Sequence, residues 1–218
     1  MNKVWSELNK TIQAQIQKKN TYKAGIDTLI DLRNQLMEIL ISFNEELSRE
    51  DFNEIPFINS DGYHSKTIAY SIWHIFRIED IVAHTLISEN EQVFFSGYYQ
   101  ERINSPIITT GNELVKEQIA DFSKRLNLKE LYSYIFEVKG STEKMIKNLS
   151  YNELKKKISE ERKEHLKSLN VVSNDENAIW LIDYWCGKDI RGLIQMPFLR
   201  HWIMHIEASL RIKNKIHS

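Results

Sequence analysis

The apolar residues of this sequence recur every three or four positions over long stretches, and this spacing restricts the chain to a helical fold. The longest stretch begins at Thr21 and continues to Leu47, and a second covers residues 65–88, where Ser65 is a suitable N-cap. Only 7 Gly and 3 Pro occur in 218 residues, which favours long helices over strands joined by tight turns. The sequence therefore predicts an all-α protein.

Two further long helices are predicted from local signals. The capping-box sequence at 127–130 opens a helix that continues to about Leu149. The last helix is predicted to begin near Pro197, a residue that suits a first helical turn, and to run to about Asn214. Four long helices with additional short helices indicate a four-helix bundle. Nothing marks a domain boundary, so residues 1–218 are expected to form a single helical-bundle domain.

Charge and composition exclude several classes of partner. The formal net charge is -1, and nothing suggests a nucleic-acid-binding surface. No apolar run approaches the length of a membrane span, and the N-terminus lacks a signal-peptide core. The single cysteine, Cys186, cannot form an intrachain disulfide and fits a reducing cytosol. A soluble, cytoplasmic protein without nucleic-acid or membrane partners is expected.

Two histidines stand four residues apart in the last predicted helix, in the sequence FLRHWIMHIEASL at 198–210. His201 and His205 are separated by about 40° around the helix axis and share their face with Phe198 and Ile212, so both imidazoles are expected in the core. A buried imidazole nitrogen without a partner costs about 1–3 kcal/mol. A shared divalent cation would satisfy one nitrogen of each ring, although an incidental pair of core histidines is the alternative.

His74 is the candidate third ligand. It lies in the second long helix, at the edge of that helix's most apolar face. Two facing helices would then present His74, His201 and His205 to a common point. Three nitrogens with one position left open are typical of a catalytic rather than a structural metal site. The residue after the first histidine of the pair is Trp202 and not the glutamate of zinc proteases, which disfavours a metalloprotease.

The segments TIAYSIWHIFRIEDIVAH and GLIQMPFLRHWIMHIEASLRI, with CGKDIRGLIQMP before the last helix, resemble the DinB-like superfamily of bacterial metal-binding four-helix-bundle proteins. That family carries one ligand histidine in its second helix and an H-x-x-x-H pair in its last. The matching positions are His74, His201 and His205. Over essentially the whole chain, the resemblance implies a DinB-like bundle with a divalent transition metal such as zinc or nickel. In some members it also implies S-transfer or isomerisation with an external low-molecular-weight thiol.

Two functions remain open. The first is a metal-dependent enzyme, either a thiol-dependent S-transferase or a hydrolase, in which the open metal position activates a thiol or water toward a small electrophilic substrate. The second is a non-catalytic helical-bundle protein whose histidines are structural or vestigial. Such a bundle could be a monomer or a homodimer. An enzyme needs a solvent-reachable cleft and an acid or base beside the metal, whereas a structural bundle would fill that space with apolar side chains. No general base or nucleophile can be assigned from the sequence.

Several other residues could have either a structural or a functional role. Glu79 and Asp80 point away from His74 and are not expected to be metal ligands. A surface pair with Arg77 or a helix-capping role is expected, with orientation of an imidazole N–H as the alternative. Cys186 is expected to be a buried, inert thiol. The irregular segment 91–112 is predicted either to cover one end of the bundle as a lid or to form a contact between two copies in a dimer. Four histidines without a partner at ligand spacing are predicted to lie on the surface or in loops: His64, His84, His165 and His217.

The approach to the last helix holds two more groups. An aromatic cluster there is expected to pack in the core, with the wall of a pocket as the alternative: Trp180, Tyr184 and Trp185. A charged group beside it is read as a plain surface loop, with an anion site as the alternative: Lys188, Asp189 and Arg191. Tyr70, one turn before His74, is expected to pack in the core rather than to point its hydroxyl at the metal.

Overall fold

A computed structural model of the chain describes residues 2–218, and it is helical throughout, with no strand among those residues. Two π-helical segments, Ile81–Ser88 and Met196–Arg200, interrupt the α-helices. The α-helices are α1 (Lys3–Ile16), α2 (Tyr22–Glu46), α3 (Ile68–Asp80), α4 (Val93–Ser96), α5 (Tyr99–Ile103), α6 (Glu117–Arg125), α7 (Leu128–Asn148), α8 (Glu160–Ser168), α9 (Trp180–Cys186), α10 (Ile190–Gln195) and α11 (His201–Ile216).

Four helices surround the main core. Helix α3 packs against α7 and α11, and α2 packs against the same two helices from the other side. All thirteen residues of α3 are buried, so this helix is covered on every side. Helix α1 lies along α2, where Gly25 permits the close approach because a Cβ atom there would come within 2.7 Å of Ile16 Cγ2. The predicted all-α class is confirmed.

The predicted helix ends agree with the structure except at two starts. Helix α3 is capped by Thr67, whose hydroxyl accepts a hydrogen bond from Tyr70 N at 3.0 Å. The predicted cap, Ser65, instead follows a 3-10 turn and donates its hydroxyl to the Gly62 carbonyl at 3.1 Å. Pro197 is the second residue of the π-helical segment and not the start of α11, which begins four residues later. None of the helices in residues 2–218 has the length and apolarity that crossing a bilayer requires.

Helix α7 begins where the sequence predicts. The Asn127 side chain accepts a hydrogen bond from Glu130 N at 3.3 Å, as expected for the first half of a capping box. Helical structure continues beyond α3 to the predicted end at Ser88, but the segment Ile81–Ser88 has π-helical pitch. Such wide turns are frequent at functional sites. The period of the sequence therefore fixes the extent of this helix but not its pitch.

Candidate metal centre

The three predicted ligands meet in the structure. His74 on α3 and His201 and His205 on α11 each offer one nitrogen, and these nitrogens lie within 4.8 Å of one another. Their ring centroids are 4.6 to 5.0 Å apart. All three side chains are buried. The packing of α3 on α11 brings together residues that are more than 120 positions apart in the sequence.

The His74 ring is held in one tautomer. Its Nδ1 lies 2.6 Å from the Thr110 carbonyl oxygen, which can only accept, so the Nδ1 carries the proton. The Nε2 therefore has a free lone pair for a metal. Tyr70 stacks on the same ring at 5.2 Å and 13°, and its hydroxyl donates to the Gly111 carbonyl at 2.9 Å. Tyr70 thus orients the imidazole and does not point its hydroxyl at the site.

His201 and His205 have unmet hydrogen-bonding capacity. The Nδ1 atoms of both rings are buried and have no hydrogen-bond partner in the described part of the chain. Tyr63 packs edge-on against the His205 ring at 4.7 Å, which fixes the ring without satisfying its nitrogens. A buried polar atom without a partner costs about 1–3 kcal/mol. The cluster of three buried rings therefore contains two polar atoms that no protein group satisfies.

The imidazoles are in the protonation state that binds metals. Burial lowers the pKa of His74 to about 4. Burial also lowers the pKa values of His201 and His205 well below the ordinary value, and the neighbouring imidazoles add to the effect. All three rings are therefore neutral near pH 7, as metal ligation requires. Three neutral imidazole nitrogens fit zinc and nickel among the divalent transition metals.

A loop is held against α3 beside the site. Segment 108–111 receives hydrogen bonds through its main-chain carbonyls from three side chains that lie about one turn apart on α3. Gly111 has a φ of 76°, and a Cβ atom there would come within 2.7 Å of Trp73 Cζ3. No sequence pattern indicates this attachment, because the acceptors are main-chain atoms. The three donors are Tyr70, His74 and Arg77.

Glu79 is a buried ion-pair partner, and its predicted place on the surface is wrong. Its carboxylate accepts hydrogen bonds from both terminal nitrogens of Arg33, at 2.8 and 2.9 Å, and from Trp202 Nε1 at 2.8 Å. Arg33 also donates to the Phe198 carbonyl at 2.6 Å and to Glu143 at 3.1 Å. This network links α2, α3, α7 and the segment before α11. A surface position would have left the buried Arg33 without its counter-charge.

Asp80 and His84 are likewise buried, which corrects their predicted surface positions. The predicted pair of Asp80 with Arg77 is present, but inside the core, with Arg77 Nη1 3.7 Å from Asp80 Oδ2. His84 Nδ1 lies 2.7 Å from Asp80 Oδ1, one turn away. Among the other histidines without a partner at ligand spacing, His64 is half-buried and His165 and His217 are exposed. The spacing between histidines does not reveal the burial of His84, because its partner is a carboxylate four residues earlier on the same helical segment.

Two adjoining clefts open onto the histidines. One has a volume of about 240 Å³ and is bordered by His74 and His201, and the other, of about 470 Å³, is bordered by His74 and His205. Tyr63 and Trp180 line both clefts, and half of the Trp180 side chain is exposed. Trp180 therefore walls a pocket, which was the alternative to core packing, whereas Trp185 is buried in the core as expected. Tyr184 and Trp185 line the smaller cleft.

The charged group before the last helix forms a cap. Asp189 accepts a hydrogen bond from Gly192 N at 2.9 Å and from Arg191 at 2.7 Å, so the cation is already paired. Cys186 is half-buried, and burial raises the pKa of its thiol to about 11. These observations favour a plain surface loop over an anion site at residues 188–191. They also favour an inert thiol at Cys186.

Comparison with models of known protein families gives no match, and comparison with curated proteins gives none either.

Proposed function

We propose that the protein is a DinB-like, divalent-metal-binding protein that acts as a metal-dependent enzyme on a small electrophilic substrate. His74, His201 and His205 would hold the ion, with zinc or nickel the best candidates for three imidazoles. The observation that carries the proposal is the meeting of these three buried, neutral rings, two of which have a buried nitrogen without a hydrogen-bond partner. When bound, such an ion supplies a Lewis acid that lowers the pKa of a water or thiol.

The arrangement of the long helices supports the DinB-like part of the proposal. Helices α2, α7, α3 and α11 each contact the next in that order, and α11 contacts α2 again. This is the arrangement expected of a four-helix bundle, with the ligands on two of its facing helices. The family is then proposed from this order together with the positions of the three histidines.

The chain's own residues would bind and orient the reactants. The Thr110 carbonyl keeps the proton of His74 on Nδ1, which directs the other nitrogen into the site. Tyr63 and Trp180 provide apolar walls for the substrate. Lys66 lines the larger cleft, and burial lowers the pKa of its amine, so it is a candidate for a proton acceptor or a partner for an anionic group.

The clefts favour an enzyme over a structural bundle. A purely structural site would be closed by apolar side chains, whereas here His74 borders both cavities. A reaction with a thiol, either S-transfer or a related step, needs that thiol from outside the chain. Cys186 lies outside the lining of both clefts and its thiol has a raised pKa.

Metal content tests the proposal. The purified protein is expected to carry about one equivalent of a transition metal by plasma mass spectrometry, and a His201→Ala/His205→Ala variant is expected to carry none. A His165→Ala/His217→Ala variant is the matched control, because both of these histidines are exposed and lie outside the site. Far-ultraviolet circular dichroism should show that all three proteins are equally helical.

Failure to bind zinc or nickel after reconstitution would overturn the proposal and favour a non-catalytic bundle. If metal binds, transfer of a small thiol onto electrophiles and hydrolysis of activated substrates are the assays to run next. If the protein binds metal and its clefts admit the substrates but neither activity is found, the proposal that it is an enzyme is refuted. The protein would then be a metal-stabilised helical bundle.

A further inference from the structure

A second group of polar side chains lies at the other end of α3, remote from the histidine cluster. It is centred on His84, ten residues beyond His74 and therefore about 15 Å further along the helix. His84 lies in the π-helical segment Ile81–Ser88, which packs against α7. Wide turns of this kind occur often at functional sites because they redirect side chains.

Asp80 orients the His84 ring. The Asp80 carboxylate is fully buried and lies 2.7 Å from His84 Nδ1. Its oxygens also accept hydrogen bonds from Val93 N at 2.9 Å, Phe94 N at 2.8 Å and the Tyr134 hydroxyl at 2.9 Å, so it cannot turn away. Although burial acts to lower it, the pKa of His84 is raised because of this carboxylate. The proton of the neutral ring is therefore held on Nδ1.

Ser141 on α7 completes the group. Its Oγ lies 2.8 Å from His84 Nε2. With the ring proton on Nδ1, Nε2 accepts the hydrogen of the serine hydroxyl. Hydroxyls inside helices usually donate to the carbonyl four residues earlier, as Ser133 does to Lys129 at 3.2 Å and Thr28 does to Ala24 at 2.9 Å. Ser141 is turned toward the imidazole instead.

The serine and the histidine both border a cleft of about 430 Å³. Apolar side chains form part of its wall, and Asn90 and Asn148, whose side-chain amides are able to donate hydrogen bonds, line it as well. The apolar residues are Ile87, Met145 and Leu149.

We propose that Ser141, His84 and Asp80 form a nucleophilic triad that hydrolyses small, uncharged esters bound in this cleft. A nucleophile within hydrogen-bond reach of a base, with the base oriented by a third group, is the arrangement that defines such sites on unrelated folds. This activity is separate from the one proposed for the metal centre and does not depend on it.

The reaction follows the usual two steps. Ser141 Oγ attacks the carbonyl carbon as its proton passes to His84 Nε2, and the alcohol leaves with that proton when the ester bond breaks. Water then attacks the acyl-serine and gives its proton to Nε2, and the acid leaves as the serine hydroxyl is restored. Asp80 acts as a positioning residue that stabilises the imidazolium. The amides of Asn90 and Asn148 are the candidates to bind the developing oxyanion.

Covalent labelling tests the triad on the full chain. A fluorophosphonate probe is expected to modify Ser141, with loss of fluoride, and peptide mass spectrometry should locate the adduct. The wild-type protein should also hydrolyse p-nitrophenyl acetate, and Ser141→Ala should reduce the rate constant by about 100-fold or more. Ser133→Ala is the matched control because it removes a hydroxyl from the same helix that bonds only to the main chain in the structure. It should keep full labelling and hydrolysis.

His84→Gln separates a base from a structural link. Glutamine can still hydrogen-bond to both neighbours but cannot take the serine proton, so labelling of Ser141 should be lost while the fold, measured by circular dichroism, remains. Absence of an adduct on Ser141 in the wild-type protein would overturn the proposal. Equal hydrolysis by wild type and Ser141→Ala would overturn it as well, and the hydrogen bonds would then only join the π-helical segment to α7.

Discussion

Replacing Glu79 with glutamine should strongly destabilise the protein. The carboxylate is fully buried and accepts three hydrogen bonds, two from Arg33 at 2.8 and 2.9 Å and one from Trp202 Nε1 at 2.8 Å. Glutamine at this position keeps one acceptor oxygen and places an NH₂ group against a donor. The Arg33 guanidinium, which also packs over the Trp202 ring at 4.1 Å, then loses its principal counter-charge while remaining buried.

The magnitude follows from what remains around Arg33. Its contacts with Glu143 and with the Phe198 carbonyl persist, so part of the charge is still compensated. Breaking a buried ion pair by removing one partner costs about 3–5 kcal/mol. Because total stabilities are only about 5–15 kcal/mol, we expect the loss to consume a large part of the free energy of unfolding.

Urea denaturation followed by circular dichroism measures this loss as a lower midpoint with an unchanged slope. Glu7→Gln is the matched control, because Glu7 pairs with Lys10 at 3.0 Å on the surface, where water screens the interaction. Its midpoint should not move measurably. A Glu79→Gln protein whose free energy of unfolding stays within about 1 kcal/mol of the wild type would refute the reasoning about the buried charge.

Two further predictions concern the histidine cluster. The metal-free protein should lose stability as the pH falls, because His74 has a folded pKa of about 4 and an unfolded value near 6.5, so the unfolded chain takes up the proton first. The contribution of His74 to the free energy of unfolding is complete above about pH 6.5 and falls by roughly 3 kcal/mol between there and pH 4. Denaturation midpoints at several pH values measure this loss. Midpoints that do not change with pH would contradict the prediction. Gly111→Ala should lower both the melting temperature and the zinc affinity, because a Cβ would meet Trp73 at 2.7 Å and displace the neighbouring carbonyl that holds His74. Zinc titration beside Gly140→Ala, an open position, checks this.

The sequence predicts the helices and the histidine cluster because each rests on local spacing. Apolar periodicity marks α2 and α3, a capping box marks the start of α7, and the four-residue interval places His201 and His205 on one face. The relation of that face to His74 required the additional assumption that α3 and α11 face each other, and the structure brings the three rings together. Both inferences concern side chains whose burial follows from their position within a single helix.

The buried charges could not be predicted in the same way. Arg33 and Glu79 are 46 residues apart and carry charges that are usually found on the surface, so their pairing depends on how α2 and α3 are set against each other. The contact of Ser141 with His84 depends likewise on the register of α7 against a π-helical turn, which an α-helical period does not describe. Both contacts join two different helical segments, so the sequence pattern of one helix does not reveal them.

The two buried polar groups of the core differ in whether their atoms have hydrogen-bond partners. Arg33 and Glu79 have protein partners, whereas His201 and His205 each keep a buried nitrogen without one. A metal should therefore stabilise the protein through the histidines alone. Zinc at 100 times its dissociation constant should raise the free energy of unfolding by about 2.7 kcal/mol. Glu79→Gln should lower the starting stability and keep this increment, whereas His205→Ala should abolish it. An increment that survives His205→Ala would place the zinc elsewhere.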